Sequence, residues 1–226
     1  MTTVLNPPQV AAEERFVLYN VSWETYEQLL KNYEDQSGPR LTYDNGVLEF
    51  MSPSLPHDQT ERILELLVNV ICEEFELDVI GVGHTTQRRF DLRRGLEPDA
   101  CFYIQNVDRI RGVRDLDLKV HPPPDLVIEV DFSSSFIPKI PIYAELGVPE
   151  IWHFRNDQLV FLKLTEGNYI GIQESVALPR IVPEDVLRFV IESHTMKRPQ
   201  WLRAVREWLR SLPRNEPEQA IGSEPK

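Results

Sequence analysis

Acidic side chains are concentrated in two short segments where the sequence predicts that strands begin or end. The first is Glu97-Pro98-Asp99-Ala100, which leads into an apolar run ending at Ile104, and the second extends from Pro124 to Asp131. Carboxylate oxygens are the ligands that Mg²⁺ and Mn²⁺ prefer, and these cations keep coordination positions for water and phosphate. If the two strands are neighbours, a cation held between them would support hydrolysis of a phosphodiester bond.

The second segment places two acids on one face of a strand. Successive side chains of a strand alternate between its faces, so Glu129 and Asp131 lie on the same side and the opposite side is apolar. A charge within such an apolar strand is costly unless it is paired, protonated or bound to a metal. We therefore expect Asp99, Glu129 and Asp131 to form a metal site for Mg²⁺, with Mn²⁺ as the alternative.

The hydrophobic pattern predicts the elements that would position these residues. Apolar residues at helical spacing predict helices over 23–32, 57–75, 140–146 and 201–212. Alternating or β-branched runs predict strands over 39–43, 47–51, 79–83, 85–92, 100–104, 126–130, 151–154, 159–164 and 169–172. Turns are expected at 44–46 and 93–95, and a polar connection over 105–124. Mixed strands flanked by helices indicate one α/β domain over 16–212, with a flexible arm at 1–15 and a disordered tail at 213–226.

Composition limits the classes of partner. The chain has 226 residues and a net charge of −12, from 24 basic and 36 acidic residues. This charge argues against a strong, salt-dependent grip on nucleic acid, although a bound cation offsets charge locally. Neither a membrane-spanning run nor a leader segment is evident, so we expect a cytoplasmic protein without a membrane partner. Cys72 and Cys101 are expected to be buried free thiols.

The order of these motifs resembles the PD-(D/E)XK, or restriction-endonuclease-like, superfamily, in which Pro-Asp precedes an acidic residue on a later strand. The resemblance is closer to a large bacterial branch, the Uma-type endonucleases, formerly called a domain of unknown function. It extends over about residues 20–190. The matching segments are Trp23 with Tyr26, 44–53 with His57, 97–102, 124–130 and 143–152.

The resemblance implies a restriction-endonuclease-like core with an N-terminal hairpin extension, acting as a metal-dependent endonuclease on DNA. Asp99 and Glu129 would bind the metal. In the wider superfamily a lysine follows two residues after the glutamate, where this chain has Asp131. The Uma-type branch supplies its lysine from the next helix, four residues before a tyrosine, which corresponds to Lys139 and Tyr143. Lys139 would position the attacking water or offset charge in the transition state.

Further residues are weaker candidates for the same site. His57 matches a family position and is a candidate for catalysis or substrate binding, and Glu61 lies one helical turn later. Gln87 would point into the cleft from the strand before the Pro-Asp motif. Superfamily members often pair, so we expect a homodimer with the last helix as a candidate interface. Basic residues on that helix would meet a phosphate backbone or form a solvated face: Arg198, Arg203, Arg206 and Arg210.

Two departures from the family pattern keep alternatives open. Asp131 replaces the usual strand lysine, and Pro138 and Pro141 flank Lys139, which favours a helix that starts late and directs Lys139 elsewhere. A catalytically degenerate member that binds nucleic acid or protein is therefore the alternative to a working endonuclease. A hydrolase for a small phosphorylated substrate fits the acidic charge better but has no motif of its own.

Overall fold

The computed structural model describes residues 13–33 and 38–213. The predicted arm before residue 13 and the predicted tail after residue 213 lie outside these residues. The elements in chain order are β1 Glu14–Leu18, α1 Trp23–Tyr33, β2 Arg40–Asp44, β3 Val47–Ser52, α2 Leu55–Glu74, β4 Ile80–Gly81, β5 Gln87–Arg89, β6 Arg94–Leu96, β7 Ala100–Tyr103, α3 Val107–Ile110, β8 Leu126–Asp131, α4 Lys139–Leu146, β9 Glu150–Arg155, β10 Gln158–Thr165, β11 Asn168–Ile172, α5 Pro183–Ser193 and α6 Arg198–Ser211.

A six-stranded mixed sheet forms the centre of the fold, in the order β11-β10-β9-β8-β7-β4. Strands β8 and β9 are parallel, and the other neighbours are antiparallel. One face of β8, carrying Leu126, Ile128 and Val130, packs in a core with α2, α5 and α6. The opposite face, at Val127, packs with α4. The predicted mixed α/β fold with flanking helices is confirmed.

A second, five-stranded antiparallel sheet in the order β1-β3-β2-β6-β5 contains the predicted hairpin of β2 and β3. Its core is an aromatic cluster in which Tyr26 of α1 stacks on Tyr43 of β2, with ring centroids 4.8 Å apart. The chain leaves this sheet at Leu96 and enters the six-stranded sheet at Ala100. The Glu97-Pro98-Asp99 segment is therefore the sheet crossing that joins β6 to β7.

Two boundaries predicted from sequence were wrong. Residues 13–15 are not part of an arm, because the Glu13 carboxylate accepts hydrogen bonds from the backbone N–H groups of Phe132 and Ser133 and Glu14 begins β1. Arg94 and Gly95 are not a turn but belong to β6. Gly95 is required there by close approach, since a Cβ would lie 2.6 Å from the Tyr26 hydroxyl oxygen.

Other elements were shortened or missed. The strand predicted over 85–92 is reduced to β5, and the polar connection over 105–124 contains the short α3. Helix α5 was not predicted, although Pro183 at its first turn and Glu184 and Asp185 after it are a helix-start pattern. None of the helices in residues 13–33 and 38–213 has the length and hydropathy needed to cross a bilayer.

Candidate active site

Asp99 lies at the crossing between the sheets, directly beside the strand that carries Glu129. Strands β7 and β8 pair antiparallel with Ala100 opposite Ile128, so the register continues with Asp99 opposite Glu129. The Asp99 Oδ2 accepts a 2.6 Å hydrogen bond from the Val130 backbone N–H, and the side chain is fully buried. The strand pairing therefore brings the two predicted acids together.

Helix α4 adds a lysine and a tyrosine to Glu129. The Lys139 Nζ lies 2.5 Å from Glu129 Oε2, and the Tyr143 hydroxyl donates a hydrogen bond to Glu129 Oε1. All three side chains are buried. Both carboxylate oxygens of Glu129 thus have a donor from one helix.

The flanking prolines do not direct Lys139 away from Glu129, which was the alternative that the sequence left open. Pro138 is the N-cap residue of α4, Lys139 is its first residue, and Pro141 lies within the first turn. Backbone N–H groups in a first turn have no acceptor within the helix, so proline removes no hydrogen bond there. The prolines are compatible with a helix that starts at Lys139.

A second group of polar side chains meets the other oxygen of Asp99. His57 Nε2, from the first turn of α2, lies 3.3 Å from Asp99 Oδ1. Arg40 at the start of β2 forms ion pairs with Asp99 Oδ1 and, at 2.6 Å, with Glu61 Oε2. Glu61 is therefore buried beside Asp99, although it lies outside the apolar positions of α2 and would be expected to be exposed.

His57, Glu61 and Asp99 are close enough to hold one metal ion, because one donor atom from each lies within 4.8 Å of the others. The His57 ring is fully buried, and among the described residues neither of its nitrogens has a well-aligned hydrogen-bond partner. An orphaned imidazole between two carboxylates fits a divalent cation as its missing partner. The two carboxylates suit Mg²⁺ and Mn²⁺, whereas the imidazole nitrogen is a ligand more typical of other transition metals.

The third predicted metal ligand, Asp131, lies at the end of β8 and has other partners. Its Oδ2 lies 2.8 Å from His153 Nε2, and its Oδ1 lies 3.4 Å from Arg15 Nη2. Asp131 is outside the group of His57, Glu61 and Asp99. It contributes negative charge near the site, and its metal-binding role stays a prediction.

Burial and neighbouring charge shift the pKa values of the central residues in opposite directions. Burial, with repulsion from Asp99 and Asp131, raises the pKa of Glu129 to about 7, although the Lys139 charge opposes this. Burial also disfavours the charge of Asp99, but Lys139, Arg40 and His57 outweigh it and hold the pKa of Asp99 well below its ordinary value. Burial disfavours the Lys139 charge as well, yet the surrounding carboxylates raise its pKa. The site therefore contains more carboxylates than positively charged side chains, of which there are two, Lys139 and Arg40.

A cleft with a volume of about 1370 Å³ opens beside this cluster. Arg40 and Glu61 form part of its wall, so the buried acids are connected to the surface through them. Cationic side chains also line the cleft: Lys31, Arg62, Arg88 and Arg114. The acidic residues of the lining are Glu27, Asp58, Glu61, Glu97 and Asp115.

The weaker candidates are distributed differently. Gln87 is buried beside the site, where its Nε2 donates to the Thr85 carbonyl and its Oε1 has no partner among the described residues. Arg206 and Arg210 on the last helix form ion pairs with Glu74 of α2. Trp201 on the same helix is buried in the core against Phe189.

Arg40 was not identified from the sequence. It lies 21 residues from Glu61 and 59 residues from Asp99, and no local pattern marks the contact. Its position at the start of the first strand of the Asn-Gly hairpin is the only available signal. The sequence indicated the hairpin but not that its first residue reaches the Pro-Asp segment.

Asp99 just before β7, Glu129 on the paired strand β8 and Lys139 from the next helix form the centre of the candidate site in a mixed α/β protein. The family described as "Uma2: Putative restriction endonuclease" matches residues 23–195. The chain therefore belongs to the Uma2 family, and the resemblance read from its motifs is confirmed. The crystal structure of a putative nuclease belonging to DUF820 from Anabaena variabilis is similar at 13% identity and a TM-score of 0.48, covering 71% of this chain and 98% of that chain. No curated protein matches the sequence.

Proposed function

We propose that this protein is a metal-dependent endonuclease that hydrolyses phosphodiester bonds of DNA, using Mg²⁺ with Mn²⁺ as an alternative. The observation that carries the proposal is the meeting of Asp99, Glu129 and Lys139. Asp99 is hydrogen-bonded to the strand of Glu129, and Lys139 lies 2.5 Å from the Glu129 carboxylate. Membership of a family of putative restriction endonucleases supports the same activity.

Asp99 is the central metal ligand in this proposal, because it is the acid shared by both polar groups. Glu129 approaches it from the paired strand, and His57 and Glu61 approach it from α2. A divalent cation held by these residues would stabilise negative charge on the scissile phosphate and lower the pKa of a bound water. The buried, like-charged carboxylates provide the electrostatic attraction for such a cation.

Two residues of α4 would prepare Glu129 for this role. The Tyr143 hydroxyl fixes one carboxylate oxygen of Glu129 by a hydrogen bond, and Lys139 contacts the other. The Lys139 ammonium would stabilise the negative charge that develops on the phosphate during attack. A lysine from the helix thereby replaces the strand lysine, whose position is occupied by Asp131.

The cleft beside the cluster offers a path for a phosphate backbone. Lys31, Arg62 and Arg114 on its wall are exposed, and none of the three forms an ion pair with another described residue. Such side chains neutralise phosphates, which is the main source of affinity for nucleic acid. They are exposed cations in a cleft whose lining also carries five acidic residues, in a chain whose net charge is −12.

The test is cleavage of a supercoiled plasmid in Mg²⁺, Mn²⁺ or EDTA by the wild type and by Asp99→Asn and Glu129→Gln. We expect nicking with either metal and none in EDTA, and a loss on the order of 100-fold or more in each variant. Glu207→Gln is the matched control, because Glu207 is exposed on α6 and should leave cleavage unchanged. Circular dichroism of every variant separates loss of activity from loss of the fold.

Each negative result has a distinct meaning. Metal-dependent cleavage that persists in both variants would place the activity elsewhere in the preparation or the chain. Absence of cleavage by the wild type with both metals and with DNA and RNA would favour the catalytically degenerate alternative, a binding module. Light scattering of the wild type tests the predicted homodimer independently of activity.

A further inference from the structure

Arg40 bridges two carboxylates of the metal-capable group, those of Asp99 and Glu61. Its Nη1 contacts Asp99 Oδ1 and, at 3.3 Å, the Pro98 carbonyl oxygen, and its Nη2 lies 2.6 Å from Glu61 Oε2. The residue is only 9% exposed. The guanidinium therefore bridges two buried acids that belong to different elements, the sheet crossing and α2.

The carboxylate oxygens that bind Arg40 are also the ones that face His57. His57 Nε2 lies 3.3 Å from Asp99 Oδ1, and His57 Nδ1 lies 4.0 Å from Glu61 Oε2. A cation bound by His57, Glu61 and Asp99 through these atoms would need the oxygens that the guanidinium occupies. Arginine and metal would therefore share the same two carboxylate oxygens, and their positive charges would repel each other.

We propose that Arg40 is a built-in competitor of the divalent cation, which must displace the guanidinium from Asp99 and Glu61 in order to bind. This inference rests on the proposed metal site and extends it to a residue outside the ligand set. Arg40 keeps the buried acids neutralised and in place before the metal arrives. Because Arg40 also borders the cleft, the displaced guanidinium has space to withdraw and meets the side from which a phosphate would enter.

The competition has a definite sign. Removing Arg40 removes two charge-assisted hydrogen bonds that the metal must otherwise break, so metal affinity rises while the metal-free protein becomes less stable. Removing Arg40 would weaken metal affinity only if Arg40 stabilised the metal-bound form. If Arg40 supported the metal ligands, its removal would lower the metal affinity. If Arg40 competes with the metal, its removal raises that affinity.

The experiment is a calorimetric titration of the protein with Mn²⁺ alone, in mildly alkaline buffer without nucleic acid. We expect Arg40→Gln to bind Mn²⁺ at least about tenfold more tightly than the wild type, a difference of about 1.4 kcal/mol. The increase in Tm on adding Mn²⁺ should also be larger in this variant. Arg203→Gln is the control, since Arg203 is exposed on α6 and should bind Mn²⁺ as the wild type does.

A second variant covers a failure of Arg40→Gln to fold. Arg40→Lys keeps the charge but cannot bridge both acids as a planar fork, so we expect it to bind Mn²⁺ at least about threefold more tightly than the wild type. Equal or weaker Mn²⁺ binding by the folded Arg40 variants would overturn the competition.

Asp99→Asn separates this inference from the proposed function. If Asp99→Asn abolishes Mn²⁺ binding while Arg40→Gln leaves it unchanged, the metal site stands and the competition is wrong. If the wild type and all variants fail to bind Mn²⁺, both the metal site and the inference are wrong.

Discussion

At the scale of single residues, the site concentrates charge where burial makes charge expensive. Asp99, Glu129 and Lys139 are each at most 8% exposed. Replacing a buried ion pair by packed apolar residues is often neutral or stabilising, so such a cluster is poor evidence for a purely structural purpose. The buried ring of His57 points the same way, because neither nitrogen has a well-aligned hydrogen-bond partner among the described residues, whereas a structural histidine usually has one. These costs are explained if the cluster binds a cation.

The raised pKa of Glu129 leads to a pH dependence of stability in the metal-free protein. Burial raises this pKa from 4.5 to about 7, with added repulsion from Asp99 and Asp131. A carboxyl whose pKa is raised by folding stabilises the fold below its ordinary pKa, and that stabilisation is lost as pH rises through the folded pKa. The wild type in EDTA should therefore lose up to about 3 kcal/mol of unfolding free energy from this group between pH 4.5 and 7, at about 1.4 kcal/mol per pKa unit.

Urea unfolding of the wild type and Glu129→Gln across this range checks the expectation. The glutamine is neutral at every pH, so the stability difference between the two proteins should change in favour of the variant as pH rises. Titration of His57 and Glu61 contributes to both proteins and largely cancels in the difference. Parallel stability curves would show that Glu129 does not titrate in this window.

At the scale of elements, the strands and the helix of the site could be predicted from the sequence. The contacts between these elements could be predicted less well. The run over 126–130 and the short strand after Asp99 are recognisable because apolar, β-branched residues favour buried strands. Their pairing was not predicted but only stated as the condition under which the acids would converge, and the structure shows it. The helix predicted over 140–146 starts one residue earlier, at Lys139, because the first turn of a helix tolerates proline.

Contacts between distant segments were beyond what the sequence could indicate. Arg40 meets Asp99 and Glu61 only because the hairpin sheet lies against the crossing between the sheets. The acids Glu13 and Glu49 likewise showed no local pattern. Periodicity reports which face of an element is apolar, but not which polar side chain of another element will meet it.

Strand β3 contributes an acid that fixes the loop leading to Lys139. The Glu49 Oε2 accepts hydrogen bonds from the Ser135 hydroxyl, at 2.7 Å, and the Ile137 backbone N–H, at 2.8 Å. Its Oε1 lies 2.6 Å from Arg15 Nη1, and Glu49 is buried. The five-stranded sheet therefore helps to set where α4 begins.

Replacing Glu49 by alanine should destabilise the protein and weaken the site. The change leaves a buried arginine with fewer partners and a buried N–H without an acceptor, at a cost of about 3 kcal/mol. We also expect slower plasmid cleavage, because Lys139 follows the loop that Glu49 holds. Urea unfolding and the nicking assay measure the two effects, and Glu14→Gln on the exposed side of β1 is the control. Unchanged stability in Glu49→Ala would mean that the loop is held by other contacts.

At the scale of the whole molecule, the location of the positive charge matters more than its total. The basic residues Arg206 and Arg210 of α6 are engaged by Glu74, so the helix is fastened to α2. The candidate cations for nucleic acid are instead Lys31, Arg62 and Arg114 on the cleft. An acidic protein can bind a phosphate backbone if its cations are gathered along one groove, because the field there is local and screened over about 10 Å.

This distribution predicts which substitutions change the salt dependence of DNA binding. Each phosphate contact releases counterions, so log Kd should vary with log salt, and losing one contact should reduce the slope by about 0.9. We expect Arg62→Gln and Arg114→Gln each to weaken binding and reduce the slope by about this amount, measured in EDTA by fluorescence anisotropy on a labelled duplex. Arg203→Gln on α6 should leave the slope unchanged, because Arg203 does not line the cleft. If the α6 variant reduces the slope and the cleft variants do not, the last helix and not the cleft is the surface that binds DNA.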